Sequence, residues 1–263
     1  MHYQPIIEIA SGDVSRVEAF CRSDDDDRGF TATTFIANAE GGGFIAAVTS
    51  KAVELVLADR EIFGKTIAFS YNLSETSLRQ AEFSAWFLRA SSRSHIDFSK
   101  ITLEIRDGIQ MRNDRTTLDS MERLRARGIR FSIDGFGLDL SHWSHVEVAH
   151  SGVVELKVHG DLVANLGKSG NDILMQSVLD IASRFELDVV AKNVETPRQL
   201  ALAGAAGCRY AQGYAIARPM SATDLADWLE TRSIVPCRAG RPMVSNIAKA
   251  LNFFGLRANA RND

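Results

Sequence analysis

The chain has 263 residues, 45% hydrophobic and 24% charged, enough to bury a substantial core in one large α/β domain or two small ones. Its net charge of −3 excludes a general attraction to nucleic acid, and no stretch approaches the ~20 apolar residues of a membrane span. Cys21, Cys208 and Cys237 are too few and too scattered for a disulfide framework or a CxxC metal site. They suit a reducing cytoplasm, and because the N-terminus opens straight into a strand pattern, no signal peptide is expected.

In chain order, "YQPIIEIA" and "VSRVEAFCR" flank Ser-Gly-Asp, which predicts an opening hairpin. "TIAFSYNLS" (66–74) reads as a strand and "ETSLRQAEFSAWFLRAS" as a helix. "KITLEIRD" (100–107) is a strand, with a helix around Thr116–Arg127. "RFSIDGFG" (130–137) and "VVELKV" (153–158) follow as strands. A helix over 171–185 places Leu174, Val178, Ile181, Ala182 and Phe185 on one face. "LDVVAKNV" (187–194), a helix from Thr196, "YAQGYAIARP" (210–219) and a helix at 222–231 complete the body. Strands alternating with helices call for parallel βαβ units, and about eight of them favour a closed (β/α)8 barrel over an open sheet.

The body is assigned to residues 1–232 and a tail to 233–263. The tail holds five basic residues (Arg238, Arg241, Lys249, Arg257, Arg261) and one acid, Asp263, so it is net +4 and leaves the body near −7. A helix over Met243–Leu256 would carry Val244, Ile247, Ala248, Leu251 and Phe253 or Phe254 on one side. Packing against the body or a second subunit is the expected role, with a membrane surface or partner as the alternative.

In a parallel barrel, chemistry collects at the C-terminal strand ends. Those ends carry Asn72, Glu104, Asp134, Lys157, Lys192, Glu195 and Gln212, and Glu18 joins them from the second arm of the hairpin. Several interrupt apolar runs, where a charge is costly unless paired or bound. Glu18, Asn72, Glu104 and Asp134 offer hard oxygen donors suited to Mg²⁺ or Mn²⁺, with Ca²⁺ the other candidate. His142, His145, His150 and His159 crowd one region without the spacing of a zinc site. "SDDDDRGF" (23–30) reads as a solvated loop.

The series "YQPIIEI…VEAFCR…YNLS…LEIRD…IDGFG…ELKV…VVAKNVET…YAQGYAIARP" resembles the EAL domain, the phosphodiesterase of cyclic di-GMP signalling, from about Tyr3 to Glu230. The resemblance implies a (β/α)8 TIM-like barrel with an antiparallel first strand, and two divalent ions that activate a water to give linear pGpG. By position it makes Glu18, Asn72, Glu104 and Asp134 the first ion's ligands. It places Lys157 near the attacking water and Arg22 on a ligand phosphate. Gln4, Phe20, Lys192, Gln212 and Pro219 complete the expected ligand-binding set.

The departures matter more. The signature triplet reads Glu18-Ala19-Phe20, and the family's paired aspartates read Asp134-Gly135. The next loop reads "GLDLSHW", and His159 stands where an aspartate is expected. Lys192 replaces an acid and Asn193 a glycine, leaving Glu195. Two-ion catalysis clamps oxygens between cations ~4 Å apart. Two unit charges at that distance interact by ~4 kcal/mol at an effective dielectric of 20, so an ammonium at a ligand position opposes the second ion. The expected function is therefore a catalytically inactive cyclic di-GMP receptor that requires no metal, with Mg²⁺ or Mn²⁺ confined to the single remaining site. A homodimer is also expected. The alternatives are a ligand-independent adaptor, contacting an unidentified protein through Leu138–Trp143 or the tail, and a weak phosphodiesterase. Core burial of Trp143 competes with its use as an interface anchor.

Overall fold

The computed structural model describes residues 1–22, 32–80, 82–92, 96–106, 114–137, 152–168 and 170–234. The acidic run 23–30, the loop 138–150 with Trp143 and three of the four clustered histidines, and the tail beyond 234 lie outside the described residues.

The chain opens with β1 (His2–Glu8) and β2 (Val14–Phe20), paired antiparallel around Ser11-Gly12-Asp13. Two helices follow, α1 (Ala32–Gly41) and α2 (Ile45–Phe63). Then come β3 (Ala68–Asn72), α3 (Glu75–Arg79), α4 (Phe83–Ser92), β4 (Ile101–Arg106), α5 (Arg115–Arg125), β5 (Arg130–Phe136) and β6 (Val153–Val158). After α6 (Gly160–Ala164) and α7 (Asn171–Arg184), β7 (Asp188–Ala191), α8 (Pro197–Ala206), β8 (Tyr210–Ala211) and α9 (Ala222–Ile234) complete the body. The eight strands close in sequence order, with β1 antiparallel to both β2 and β8 and every other pair parallel. This is the TIM-like barrel with an antiparallel first strand.

Three expectations are corrected. The single helix over 75–91 is broken, because Gln80 is extended. In an unbroken helix Leu78 and Phe83 would point about 140° apart. The break brings Leu78 and Phe83, together with Phe87, into the core. The span 210–219 is strand only at Tyr210–Ala211. Finally, α1 and α2 had no counterpart in the sequence pattern. Helix α2 buries Val53, Val56, Leu57 and Phe63 on one side but exposes Leu55 and Ile62 on the other, so apolar residues on both faces blur the helical period.

The site follows from the two-residue period of the strands. Outward positions such as Val17, Phe69, Leu103, Ile133 and Leu156 are fully buried in the main core. The alternate positions are polar: Arg16 and Glu18, Ser70 and Asn72, Thr102 and Glu104, Ser132 and Asp134, Glu155 and Lys157. Deeper inside the barrel, Arg16 donates to both oxygens of Glu155 at 2.5 Å, and Ser132 to the first at 2.8 Å. One layer nearer the mouth lie the candidate functional groups.

Candidate functional site

Lys157, on β6, is completely buried. Its Nζ donates to Glu18 Oε2 at 2.5 Å and to Glu104 Oε2 at 2.6 Å. Asn72 Nδ2 donates to the other Glu18 oxygen at 2.7 Å. Gln212 Nε2 donates to Glu18 Oε2 at 2.8 Å and to Gln4 Oε1 at 3.2 Å, while Gln4 Nε2 is anchored on the Ala217 carbonyl at 2.9 Å. At the edge of this network Lys192 pairs with Asp134.

Burial pushes both glutamates up, and their charged neighbours then separate them. Lys157, Lys192 and the amide of Gln212 hold the Glu18 carboxyl down at about 2. Glu104 goes the other way, raised by burial and by the negative charge of Glu18 to about 7 against the partial relief from Lys157. Burial opposes the Lys157 charge, but Glu104 and Glu18 outweigh it and hold the ammonium above the ordinary lysine range.

The mouth is shaped by a backbone clasp. Val194 N donates to the Gln212 carbonyl at 3.0 Å, and Ala215 N to the Val194 carbonyl at 2.9 Å. A Cβ on Gly213 would stand 2.2 Å from the Val194 backbone, so only glycine permits this approach. The clasp fixes Lys192 relative to Gln212. Beyond it, Thr196 and Gln199 form a capping box that starts α8, and Gln199 also accepts from Glu195 N at 2.8 Å.

A cavity of about 400 Å³ opens above this network, lined among others by Gln4, Phe20, Arg22, Lys192, Gln212 and Pro219. Six of the seven ligand-binding candidates are thus brought together. Lys157 is the exception: it lies beneath the floor, enclosed by the acids it neutralises. Cys21, Gly213 and Tyr214 also line the cavity and were not named among its candidate residues, and Asn193, noted only as a departure from the family pattern, lines it too. Tyr214 is half exposed and stacks under the Arg218 guanidinium at 4.2 Å; the only available signal was its place in the "QGY" stretch. His159, beside Gly135, accepts at Nδ1 from Asp161 N at 3.2 Å and caps α6.

The four expected ion ligands converge as oxygen donors, and Glu104 Oε1 is buried without a hydrogen-bond partner. Their arrangement does not fit a two-ion centre. Lys157 already stands between Glu18 and Glu104, Lys192 holds Asp134, and Gly135 offers no side-chain oxygen. Among the described residues no group of three or more His, Cys, Asp or Glu could hold a metal ion.

Comparison with known proteins agrees with the fold. An uncharacterized signaling protein of Caulobacter vibrioides is 28% identical over 230 residues, covering 87% of this chain and 28% of that protein. The cyclic di-GMP phosphodiesterase NbdA of Pseudomonas aeruginosa is 28% identical over 235 residues, covering 87% of this chain and 30% of its own. The chain therefore spans less than a third of these two curated relatives. Among solved structures, the PaMucR phosphodiesterase in complex with c-di-GMP superposes with a TM-score of 0.77 at 26% identity, covering 85% of this chain and 97% of that one. The Klebsiella pneumoniae BlrP1 complex with manganese and cyclic di-GMP shares the fold, with a TM-score of 0.72 at 22% identity over 84% of this chain and 56% of that one. No described helix is long and apolar enough to cross a membrane. The EAL domain model matches residues 1–219, and the chain belongs to the EAL domain family, whose members include cyclic di-GMP phosphodiesterases.

Proposed function

We propose that this chain is a catalytically inactive EAL domain that binds cyclic di-GMP without a metal ion and acts as a receptor in signalling. The observation that carries the reading is Lys192. It lines the cavity while pairing with Asp134, so a fixed ammonium stands where the family resemblance calls for an acid. A phosphodiester is a monoanion, and a charge-assisted hydrogen bond from an ammonium serves it as a point-charge contact.

The other cavity residues divide the remaining work. Arg22, at the exposed rim, supplies a guanidinium for the second phosphate. Gln212 has a buried carbonyl oxygen without a partner, an acceptor for a ligand hydroxyl or guanine N–H. Phe20 and Pro219 offer apolar faces to the bases. Beneath them Lys157, Glu18 and Glu104 form a closed charge network that holds the floor. The acids that would bind ions are neutralised by lysines, so the receptor reading is favoured over turnover.

The test incubates the purified chain with cyclic di-GMP and Mn²⁺, separates the nucleotides by chromatography, and measures equilibrium binding of the wild type and Arg22→Ala. Intact ligand, with binding weakened roughly tenfold or more by the substitution, is expected for loss of one charged hydrogen bond. Release of pGpG would reject inactivity, and absence of binding would reject the receptor.

A further inference from the structure

We propose that the basic amphipathic tail segment Met243–Leu256 docks on the outer face of α2, beside α9, and covers an apolar stripe that the barrel leaves open. The exposed side of α2 and its N-cap carries Phe44, Val48, Lys51, Leu55, Ala58 and Ile62. Their spacing of four, three, four, three and four residues is the seam of a two-helix contact. Phe44 is 67% exposed, Leu55 39% and Ile62 51%. Large apolar side chains aligned over the 19 residues of α2 form a partner surface rather than scattered exposure.

Three observations select the tail as occupant. The first is position: α9 packs against α2 and ends at Ile234, so the tail follows directly from the helix that neighbours α2. The second is reach. Residues 235–242, with Pro236, Gly240 and Pro242, span up to about 28 Å when extended, which matches the ~29 Å length of α2. The third is charge. The exposed positions of α9 include Asp224, Asp227 and Glu230, whereas residues 233–263 are net +4; Glu54 and Glu61 beside the α2 stripe are already paired with Lys51 and Lys65. Val244, Ile247, Ala248 and Leu251 would meet the stripe, leaving Lys249 on the other side of the docked segment.

This inference is independent of ligand binding at the barrel mouth. Hydrogen exchange of the full chain tests it, comparing the wild type with Leu55→Glu/Ile62→Glu. Both positions are exposed, so the barrel folds in the variant, which unchanged protection of the strands verifies. Amides of residues 243–256 should exchange at least ~10-fold more slowly than in a free peptide, at the free-peptide rate in the variant, and independently of protein concentration. Free-peptide exchange in the wild type would overturn the proposal, as would protection that survives the double substitution. Protection that grows with protein concentration would assign the stripe to a second copy. Protection that appears only with anionic vesicles would assign the tail to a membrane surface. Either result overturns docking within one chain.

Discussion

Lys157 Nζ bridges Glu18 and Glu104 at 2.5 and 2.6 Å, with all three side chains sealed from solvent at the barrel floor. Two carboxylates share one ammonium, and the elevated pKa of Glu104 reduces the net charge of the trio. Replacing Lys157 with Met should leave the two buried acids uncompensated. A loss of about 3–5 kcal/mol is expected for breaking a buried pair by removing one partner, read by urea unfolding. A loss below 1 kcal/mol would mean that the acids find other partners or water.

The same trio sets a pH dependence. Glu18 is lowered from 4.5 to about 2, so its share of stability is present above pH 4.5 and lost as pH falls through 2. Glu104 is raised from 4.5 to about 7. The folded state therefore holds that proton more tightly than the unfolded state, and stability falls as pH rises from 4.5 through 7. Glu104→Gln should flatten this neutral-side fall while leaving the acid-side loss in place. Melting temperatures of both proteins across pH 2 to 8 would show it, and parallel curves would contradict the assignment.

Lys192 is expected to determine metal-free recognition. Lys192→Met should weaken cyclic di-GMP binding in a chelating buffer by roughly 10- to 100-fold, the range for loss of a charged hydrogen bond. Lys192→Glu should weaken it further, because a carboxylate then faces Asp134 and the ligand phosphate. Equilibrium dialysis distinguishes these outcomes; equal affinity in all three proteins would remove Lys192 from the ligand contact.

Restoring the aspartate pair by Gly135→Asp should not restore hydrolysis. Gly135 has φ +84°, at a register shift between Asp134 and Phe136, and a side chain in this left-handed region costs about 1 kcal/mol or more. Lys192 would still occupy Asp134. The expected result is a lowered melting temperature and no pGpG in a manganese-supplemented assay. Turnover by the single variant would show that one carboxylate was the only missing part.

Much of the barrel and its polar floor was legible in the sequence because strands such as "VSRVEAF" and "VVELKV" alternate apolar residues with charges that need partners. Glu18, Glu104, Asp134 and Lys157 announced themselves as interruptions of apolar runs. What the sequence could not give was which charges pair. Lys157 and Glu18 lie 139 residues apart, and only barrel closure puts them in one layer. Helix α2 was missed for the opposite reason, since two apolar faces leave no single periodic stripe. The break at Gln80 was hidden because no glycine or proline marks it, and it lets Leu78, Phe83 and Phe87 all reach the core.

The most direct test of metal-free recognition is calorimetric titration of the purified chain with cyclic di-GMP, once in EDTA and once in excess Mg²⁺. The account predicts saturable binding of similar affinity in both buffers, because Lys192 supplies the positive charge at the cavity. Binding seen only with Mg²⁺ would contradict it, since the acids would then have to exchange their lysines for an ion before the ligand could enter.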